Sequence, residues 1–337
     1  MSNLELQYGY LRRSAGVLDM SLRSRVCVTG TDRLRFLNGQ VTNNVKDLGK
    51  GQGCYAALVT AKGKMQSDLF IYSLSEELLL DFEPGLTTAV TERLERYVIA
   101  DDVQVVDVGP LYGMLTVQGP RSADVLRAAG LEPPSTPLNA RWTSGSSGAE
   151  VYCMNNGRGT AAGFDVFIPT EQVGAMRERL IEAAAKVDGG ASSIEALEIV
   201  RIESGIPKFG VDMDETNLAS EAGIEPRAIS YSKGCYIGQE VISRIRAFGQ
   251  VAKSLRGLRL PADLSRLPQK GDKLFHEGKE VGYVTSSCRS QALPLNIALG
   301  YIRREHTSAG TGLLLGAADS TSKAVVCDLP FVAPDAV

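Results

Sequence analysis

The spacing of apolar positions changes from segment to segment along this chain and sorts the segments into strands and helices. Arg25 to Thr29 is an apolar-rich run predicted as a strand. The turn Gly30-Thr31-Asp32 leads into Arg33 to Gly39, where Leu34, Phe36 and Leu37 make the apolar face of a helix that Thr31 or Asp32 can cap. Cys54 to Thr60, Met65 to Tyr72 and Leu78 to Phe82 follow as strands, the first two joined by Ala61-Lys62-Gly63-Lys64. Pro84 to Tyr97 carries Leu86, Val90, Leu94 and Tyr97 at three- and four-residue steps, which predicts a helix. Val103 to Val108 and Leu111 to Gln118 are strands, Gly119-Pro120 ends the second, and Arg121 to Ala129 is helical, so the strand-turn-helix unit of residues 25 to 39 recurs. Glu132 to Gly148, rich in Pro, Ser and Gly, reads as a loop or linker. Strands at Glu150 to Met154 and Gly163 to Pro169 precede helices at Glu171 to Lys186 and Ser193 to Gly205. Paired strands with packed helices favour an α+β layered fold over a doubly wound parallel sheet.

After Lys253 the pattern shortens. Leu255 to Leu260, Lys273 to His276, Glu280 to Ser286, Ile297 to Ile302, Gly312 to Leu315 and Lys323 to Asp328 are closely spaced strands with turn signals between them, the pattern of a small β-barrel or sandwich. The expected division is residues 1–250, with an internal boundary left open, and residues 251–337 as a C-terminal β-domain.

Composition narrows the class. With 44% apolar and 22% charged residues the chain reads as an ordinary folded protein, and a net charge of −3 gives no general reason to bind nucleic acid or an anionic membrane. The first thirteen residues lack a signal-peptide core, and no apolar run approaches the roughly 20 residues a bilayer span requires, so a cytoplasmic location is expected. Six cysteines occur without a CxxC pair or metal-ligand spacing, which predicts free thiols and no resident metal. Cys27, Cys153 and Cys327 lie in apolar strand-like runs and read as core fillers.

Cys235 differs. It lies in Lys233-Gly234-Cys235-Tyr236-Ile237-Gly238-Gln239-Glu240, just before Gln239 to Ile245, which reads as a short helix although its β-branched residues also permit a strand. A helix start and a nearby ammonium, Lys233, would lower a thiol pKa and enrich the thiolate. The alternative is a small buried hydrophobe in a turn. Other chemistries find little support: the two histidines, His276 and His306, are both in the β-domain, and Gly49-Lys50-Gly51-Gln52-Gly53 and Gly157-Arg158-Gly159 match neither a dinucleotide fingerprint nor a P-loop. Two carboxylates interrupt apolar segments, Glu203 at the end of a helix and Asp165 within a strand; each is either a pocket wall able to accept paired N–H bonds or an ordinary salt-bridge partner.

The run Arg201-Ile202-Glu203-Ser204-Gly205-Ile206-Pro207 with Gly210-Val211-Asp212 and Glu221-Ala222-Gly223 resembles the glycine-cleavage T-proteins, the tetrahydrofolate-dependent aminomethyltransferases. Gly16-Val17-Leu18-Asp19, Val117-Gln118-Gly119-Pro120, Gly163-Phe164-Asp165 and Val281-Gly282-Tyr283-Val284-Thr285-Ser286 follow the same family in order. The KGCYIGQE stretch resembles the signature of the YgfZ branch, whose members bind folate and support assembly or repair of iron-sulfur clusters, with indirect effects on tRNA modification. This resemblance implies a three-domain fold, two α+β modules around a central folate pocket plus a C-terminal β-barrel. It implies tetrahydrofolate as cofactor and iron-sulfur enzymes or cluster-assembly proteins as partners. It implies pterin binding by Glu203, one-carbon or proton handling by Asp68, a weaker pocket role for Asp165, and action by Cys235 at or near the folate. Lys233, Arg244 and Arg246 would attract the folate glutamate tail or an acidic partner. Ser67 and Gly63-Lys64 depart from the T-protein Asp-Asp-Leu and Gly-Gly patterns, which separates an accessory role from a second reading as an aminomethyl- or methyltransferase.

Overall fold

Apolar side chains on alternate positions of the first hundred residues need two partners, one for each face of the sheet they form, and the fold supplies both. In the computed structural model, which describes residues 2 to 144, 150 to 317 and 320 to 333, five antiparallel strands lie in the order Gly53–Val59, Met65–Ser73, Leu78–Phe82, Ser24–Thr29, Gln104–Asp107. One face, with Val26, Val28, Leu58, Leu69, Ile71 and Leu80, packs on the helices Arg33–Gln40 and Thr87–Glu95 through Phe36, Leu37, Val90 and Leu94. The opposite face, with Cys27, Tyr72 and Leu79, packs on Met114, Met154 and Phe167 of a second sheet.

That second sheet has six strands in the order Gly190–Ala191, Gly16–Asp19, Tyr112–Gln118, Gly163–Pro169, Glu150–Asn155, Ala140–Ser144, antiparallel except for the pairing of its first two strands. Its outer face is covered by Ser122–Ala128 and Val173–Ala185, with Val125, Leu126, Leu180 and Ala183 against Leu115, Val117, Val166 and Ile168. Two sheets therefore stack face to face with helices outside, the α+β layering that paired strands and flanking helices predict. The C-terminal strands close into a six-stranded barrel, in the order Lys253–Leu260, Asn296–Arg303, Lys279–Arg289, Lys273–His276, Gly312–Ala317, Ser320–Cys327, filled by Leu258, Leu274, Val284, Ala298, Ile302 and Val326.

The expected loop at 132 to 148 contains a strand, Ala140–Ser144, in which Trp142 lies opposite Tyr152; positions 145 to 148 lie outside the described residues. The flanking Pro, Ser and Gly hid a run of only five residues. The N-terminal helix Asn3–Arg13, to which the apolar spacing assigns no element, starts at a capping box in which Ser2 and Glu5 satisfy each other's backbone N–H. It buries Tyr8 and Leu11 against Leu197 and Val200 of the helix Ile194–Glu203, which itself leans on barrel residues Leu255, Ile297 and Tyr301. The choice left open after Cys235 resolves as a helix, Gln239–Phe248. Its N-cap, Gly238, has φ +86° and sits where a Cβ would come within 2.6 Å of the Thr60 carbonyl oxygen, so glycine is required by both conformation and space.

Candidate functional site

Residues of both sheets and of the helix Ile194–Glu203 enclose a cavity of about 590 Å³. This lies within the range of about 300–1,000 Å³ usual for small-molecule sites. The first sheet contributes Tyr55, Asp68 and Phe70. Alternation explains this: residues 68 and 70 share the face that Leu69 and Ile71 avoid. Glu83 follows directly after the neighbouring strand, and the loop Asn155 to Ala162 brings Arg158. Ile194, Leu197, Glu198 and Arg201 line the cavity from the helix, with Pro207, Lys208 and Arg227 completing the wall.

Asp68 accepts a hydrogen bond from the Tyr55 hydroxyl at 2.7 Å. Burial, and after it the charge of Glu83, push the Asp68 carboxyl up to about 6. A carboxyl group so placed carries a proton for part of the time near neutrality and can exchange it with a ligand. The Arg227 guanidinium lies 4.9 Å above the Tyr55 ring and has no hydrogen bond or ion pair among the described residues, so it is available at the cavity edge.

A chain of charges runs along the cavity floor, in which Arg23, Glu83 and Arg158 face the cavity and Asp81 and Asp165 lie behind them. Glu83 and Asp81 accept from Arg23 at 2.5 and 2.7 Å, Asp81 also accepts from Arg158 at 2.9 Å, and Arg158 grips Asp165 through Nε at 3.0 Å and Nη2 at 2.7 Å. Thr116 and Asn156 satisfy the remaining acceptor positions of Asp165 at 2.8 and 3.0 Å. Burial opposes ionisation of Asp81, but Arg23 and Arg158 outweigh it and hold the carboxyl below its ordinary value. Asp165 is fully buried and lies behind Arg158; Arg158, not Asp165, faces the cavity.

On the far wall Glu198 takes both oxygens to Arg201, at 3.0 Å from Nε and 2.7 Å from Nη2. Arg201 also reaches Asp212 at 2.7 Å, and Asp212 accepts from Thr285 and Ser286 of the barrel, each at 2.5 Å. This side of the cavity is thereby tied to the barrel.

Of the seven residues the sequence puts forward, Asp68 alone lines the cavity. Glu203 is fully buried outside it, accepting from Tyr8, Arg12, Ser290 and the backbone N–H groups of Gln291 and Ala292. With five donors on two oxygens it has no capacity left for a ring, and Glu198, five residues earlier, presents a carboxylate to the cavity instead. Lys233 is also diverted: its ammonium donates to the carbonyls of Asn38, Val41 and Asn43 at 2.5, 2.7 and 2.7 Å and lies 4.9 Å from the Tyr236 ring. Burial pulls its pKa down to about 8, and it clamps the end of the helix Arg33–Gln40 rather than reaching a ligand. Cys235 is exposed on the loop that this clamp anchors, outside the cavity wall. Arg244 and Arg246 are exposed on the helix Gln239–Phe248, Arg246 stacking 3.7 Å over Tyr231.

Tyr55, Glu83, Arg158, Glu198, Arg201 and Arg227 escape the sequence reading as site residues. Asp81, a charge inside the apolar strand Leu78–Phe82, signals a buried charge network in the same way as Asp165 does in Gly163–Pro169. Among the described residues no group of three or more His, Cys, Asp or Glu is placed to hold a metal ion, and no helix is long and apolar enough to cross a membrane.

Comparison with known proteins agrees with this architecture. A GCVT N-terminal domain matches residues 5–233 and a glycine cleavage T-protein C-terminal barrel domain matches residues 253–333. The chain is 27% identical over 333 residues to an aminomethyltransferase of Halalkalibacterium halodurans, covering 98% of this chain and 90% of that protein. An aminomethyltransferase of Thermotoga neapolitana is 26% identical over 296 residues, 87% of this chain and 80% of that one. The crystal structure of the glycine cleavage system aminomethyltransferase T from Bartonella henselae superposes with a TM-score of 0.87 at 22% identity, over 98% of this chain and 89% of that chain, a likeness of fold.

Proposed function

We infer that this chain, which belongs to the glycine cleavage T-protein family through its GCVT N-terminal domain and its C-terminal barrel, is a tetrahydrofolate-binding protein. The observation that carries the reading is the cavity itself, with a carboxyl group of raised pKa, Asp68, beside the apolar surface of Phe70, Leu138 and Leu197. The residues fit such a ligand. A flat aminopyrimidine ring needs apolar faces and acceptors for its N–H groups, which Asp68 and Glu198 offer, and an anionic tail needs a cation such as Arg227 or Lys208 at the wall. Bound folate would supply a nitrogen that carries or accepts a one-carbon unit, and Asp68 would hold or take the proton there.

Within the family we place the chain in the YgfZ branch, as an accessory factor for assembly or repair of iron-sulfur clusters with indirect effects on tRNA modification. Support comes from the KGCYIGQE loop. Its thiol is exposed and outside the cavity, while Lys233 and Tyr236 beside it are buried and fix the loop, a geometry suited to meeting another protein. The aminomethyltransferase reading rests on Asp68, the aspartate retained where Ser67 replaces its neighbour.

Calorimetric titration with tetrahydrofolate tests the common part. The native protein is expected to bind, and Asp68→Asn to bind about tenfold more weakly, the worth of one contact to a charged group; no heat of binding to the native protein would overturn it. Cys235→Ala is expected to leave stability and folate affinity unchanged, because the side chain is exposed, while lowering the activity of cluster-dependent enzymes in cells that carry it. Folate-coupled turnover of a one-carbon donor with glycine-cleavage partners would favour the transferase instead.

A further inference from the structure

The strand pairing places a second acid near Asp68. Phe70 lies opposite Asp81 and Ser73 opposite Leu78; Asp68 stands two residues before Phe70 and Glu83 two residues after Asp81, just past the strand end, so the two acids lie toward the same end and face of the strand pair. Both line the cavity. Like charges near each other on one sheet face repel, and a fold with no use for them would be expected to separate or pair them. Here the pairing is unequal: Glu83 is held by Arg23 at 2.5 Å, whereas the Asp68 carboxyl accepts from the neutral Tyr55 hydroxyl and a backbone N–H and has no ion-pair partner among the described residues. Arg23 is itself shared with Asp81, which also takes Arg158; the Arg23 charge favours ionisation of Asp68, but its effect is smaller than those of burial and Glu83. Arg227 lies over the Tyr55 ring, and on the far wall Glu198 and Arg201 pair with each other along their helix.

We propose that Glu83 is a positioning residue for Asp68: an acidic neighbour on the same cavity wall, fixed by its ion pair with Arg23, that keeps the Asp68 carboxyl able to hold a proton facing the cavity. The proposal builds on the folate reading for its purpose, but the coupling between the two acids is a property of the protein alone. The direction agrees with the Asp68 carboxyl being pushed up by burial first and by Glu83 second. Removing the Glu83 charge should therefore let Asp68 ionise more easily, while Gln at position 83 can still accept from Arg23.

The test is the titration of the Asp68 side-chain carbon by NMR in protein labelled with ¹³Cγ-aspartate, assigned by the signal missing from Asp68→Asn. The native midpoint is expected near 6. Glu83→Gln should lower it by about one pH unit, a usual size for one nearby charge, and Glu83→Asp, which keeps the charge, should restore most of the shift. An unchanged midpoint in a folded Glu83→Gln protein, or equal midpoints in the Gln and Asp variants, would overturn the proposal. Chemical denaturation of each variant separates this from a purely structural role, which would lower stability without moving the Asp68 midpoint. Tetrahydrofolate titration of the same samples is scored separately: a shifted midpoint without folate binding would sink the folate reading and leave the coupling of the two acids standing.

Discussion

Replacing Arg158 with methionine is expected to destabilise the protein by about 3–5 kcal/mol, the usual penalty for leaving buried charge without its partner. Arg158 bridges Asp81 and Asp165, both fully buried, and its Nε and Nη2 atoms supply three of the hydrogen bonds that compensate them. Methionine fills much of the volume and removes the charge, so the loss reports electrostatics more than packing. The pH dependence has a definite sign. In the native protein Asp81 is held below its ordinary value despite burial, by Arg23 and Arg158, so its contribution is present above the unfolded carboxylate pKa and fades as pH falls. Without Arg158 only Arg23 is left to oppose burial, the folded pKa of Asp81 rises relative to the native protein, and the stability it contributes above the carboxylate range is reduced. The gap between native and variant should therefore be widest near pH 7 to 8 and shrink toward pH 5. Urea denaturation at both pH values measures it. A gap that stays the same or widens at pH 5 would refute the assignment of Arg158 as the partner of these carboxylates. Because Arg158 also lines the cavity, its folate affinity should fall, but only samples shown to be folded can carry that comparison.

The layered fold was legible because its signals are local. Leu34, Phe36 and Leu37 in Arg33–Gln40, and the alternating residues of Met65–Ser73, carry their period in the sequence, and the short C-terminal strands announce by their spacing a small barrel or sandwich, which the structure closes as a barrel. The site was less legible because the side chains that build it come from distant segments. Glu83 matters because it follows the strand paired with the one that carries Asp68 and lines the same cavity, and Arg158 because a glycine-flanked loop folds back over Phe70, with its guanidinium 5.4 Å from that ring. Neither relation has a period or a motif. Lys233 and Glu203 show the converse. Both stand out as polar residues among apolar or glycine-rich neighbours, and both turn out to be satisfied internally, Lys233 by three carbonyls and Glu203 by five donors. A charged residue that interrupts an apolar pattern must find a partner on burial, but the pattern does not say whether that partner is a ligand or the protein itself.

Glu203→Gln provides the second large effect, and it separates those two possibilities. One carboxylate oxygen accepts from Tyr8 at 2.7 Å and Arg12 at 2.5 Å, and the other from Ser290 at 2.6 Å and the N–H groups of Gln291 and Ala292 at 3.0 and 3.2 Å. The backbone carbonyl of the same residue accepts from Phe331 and Val332. Glu203 thus joins the N-terminal helix, the helix Ile194–Glu203, a barrel loop and the C-terminal segment at one point. Glutamine has one acceptor oxygen and one NH₂ group, so whichever way it turns, its own donors face donors, and Arg12, which is buried, loses its counter-charge. The expected cost is about 3–5 kcal/mol. Tetrahydrofolate affinity, measured on the folded fraction at low temperature, should stay within about twofold of native, because the carboxylate has no lone pair left to give and lies outside the cavity wall. A residue that gripped the pterin would behave in the opposite way, leaving the midpoint of urea denaturation near native and weakening folate binding at least tenfold. That outcome would return Glu203 to the ligand and require the helix end to open when folate binds.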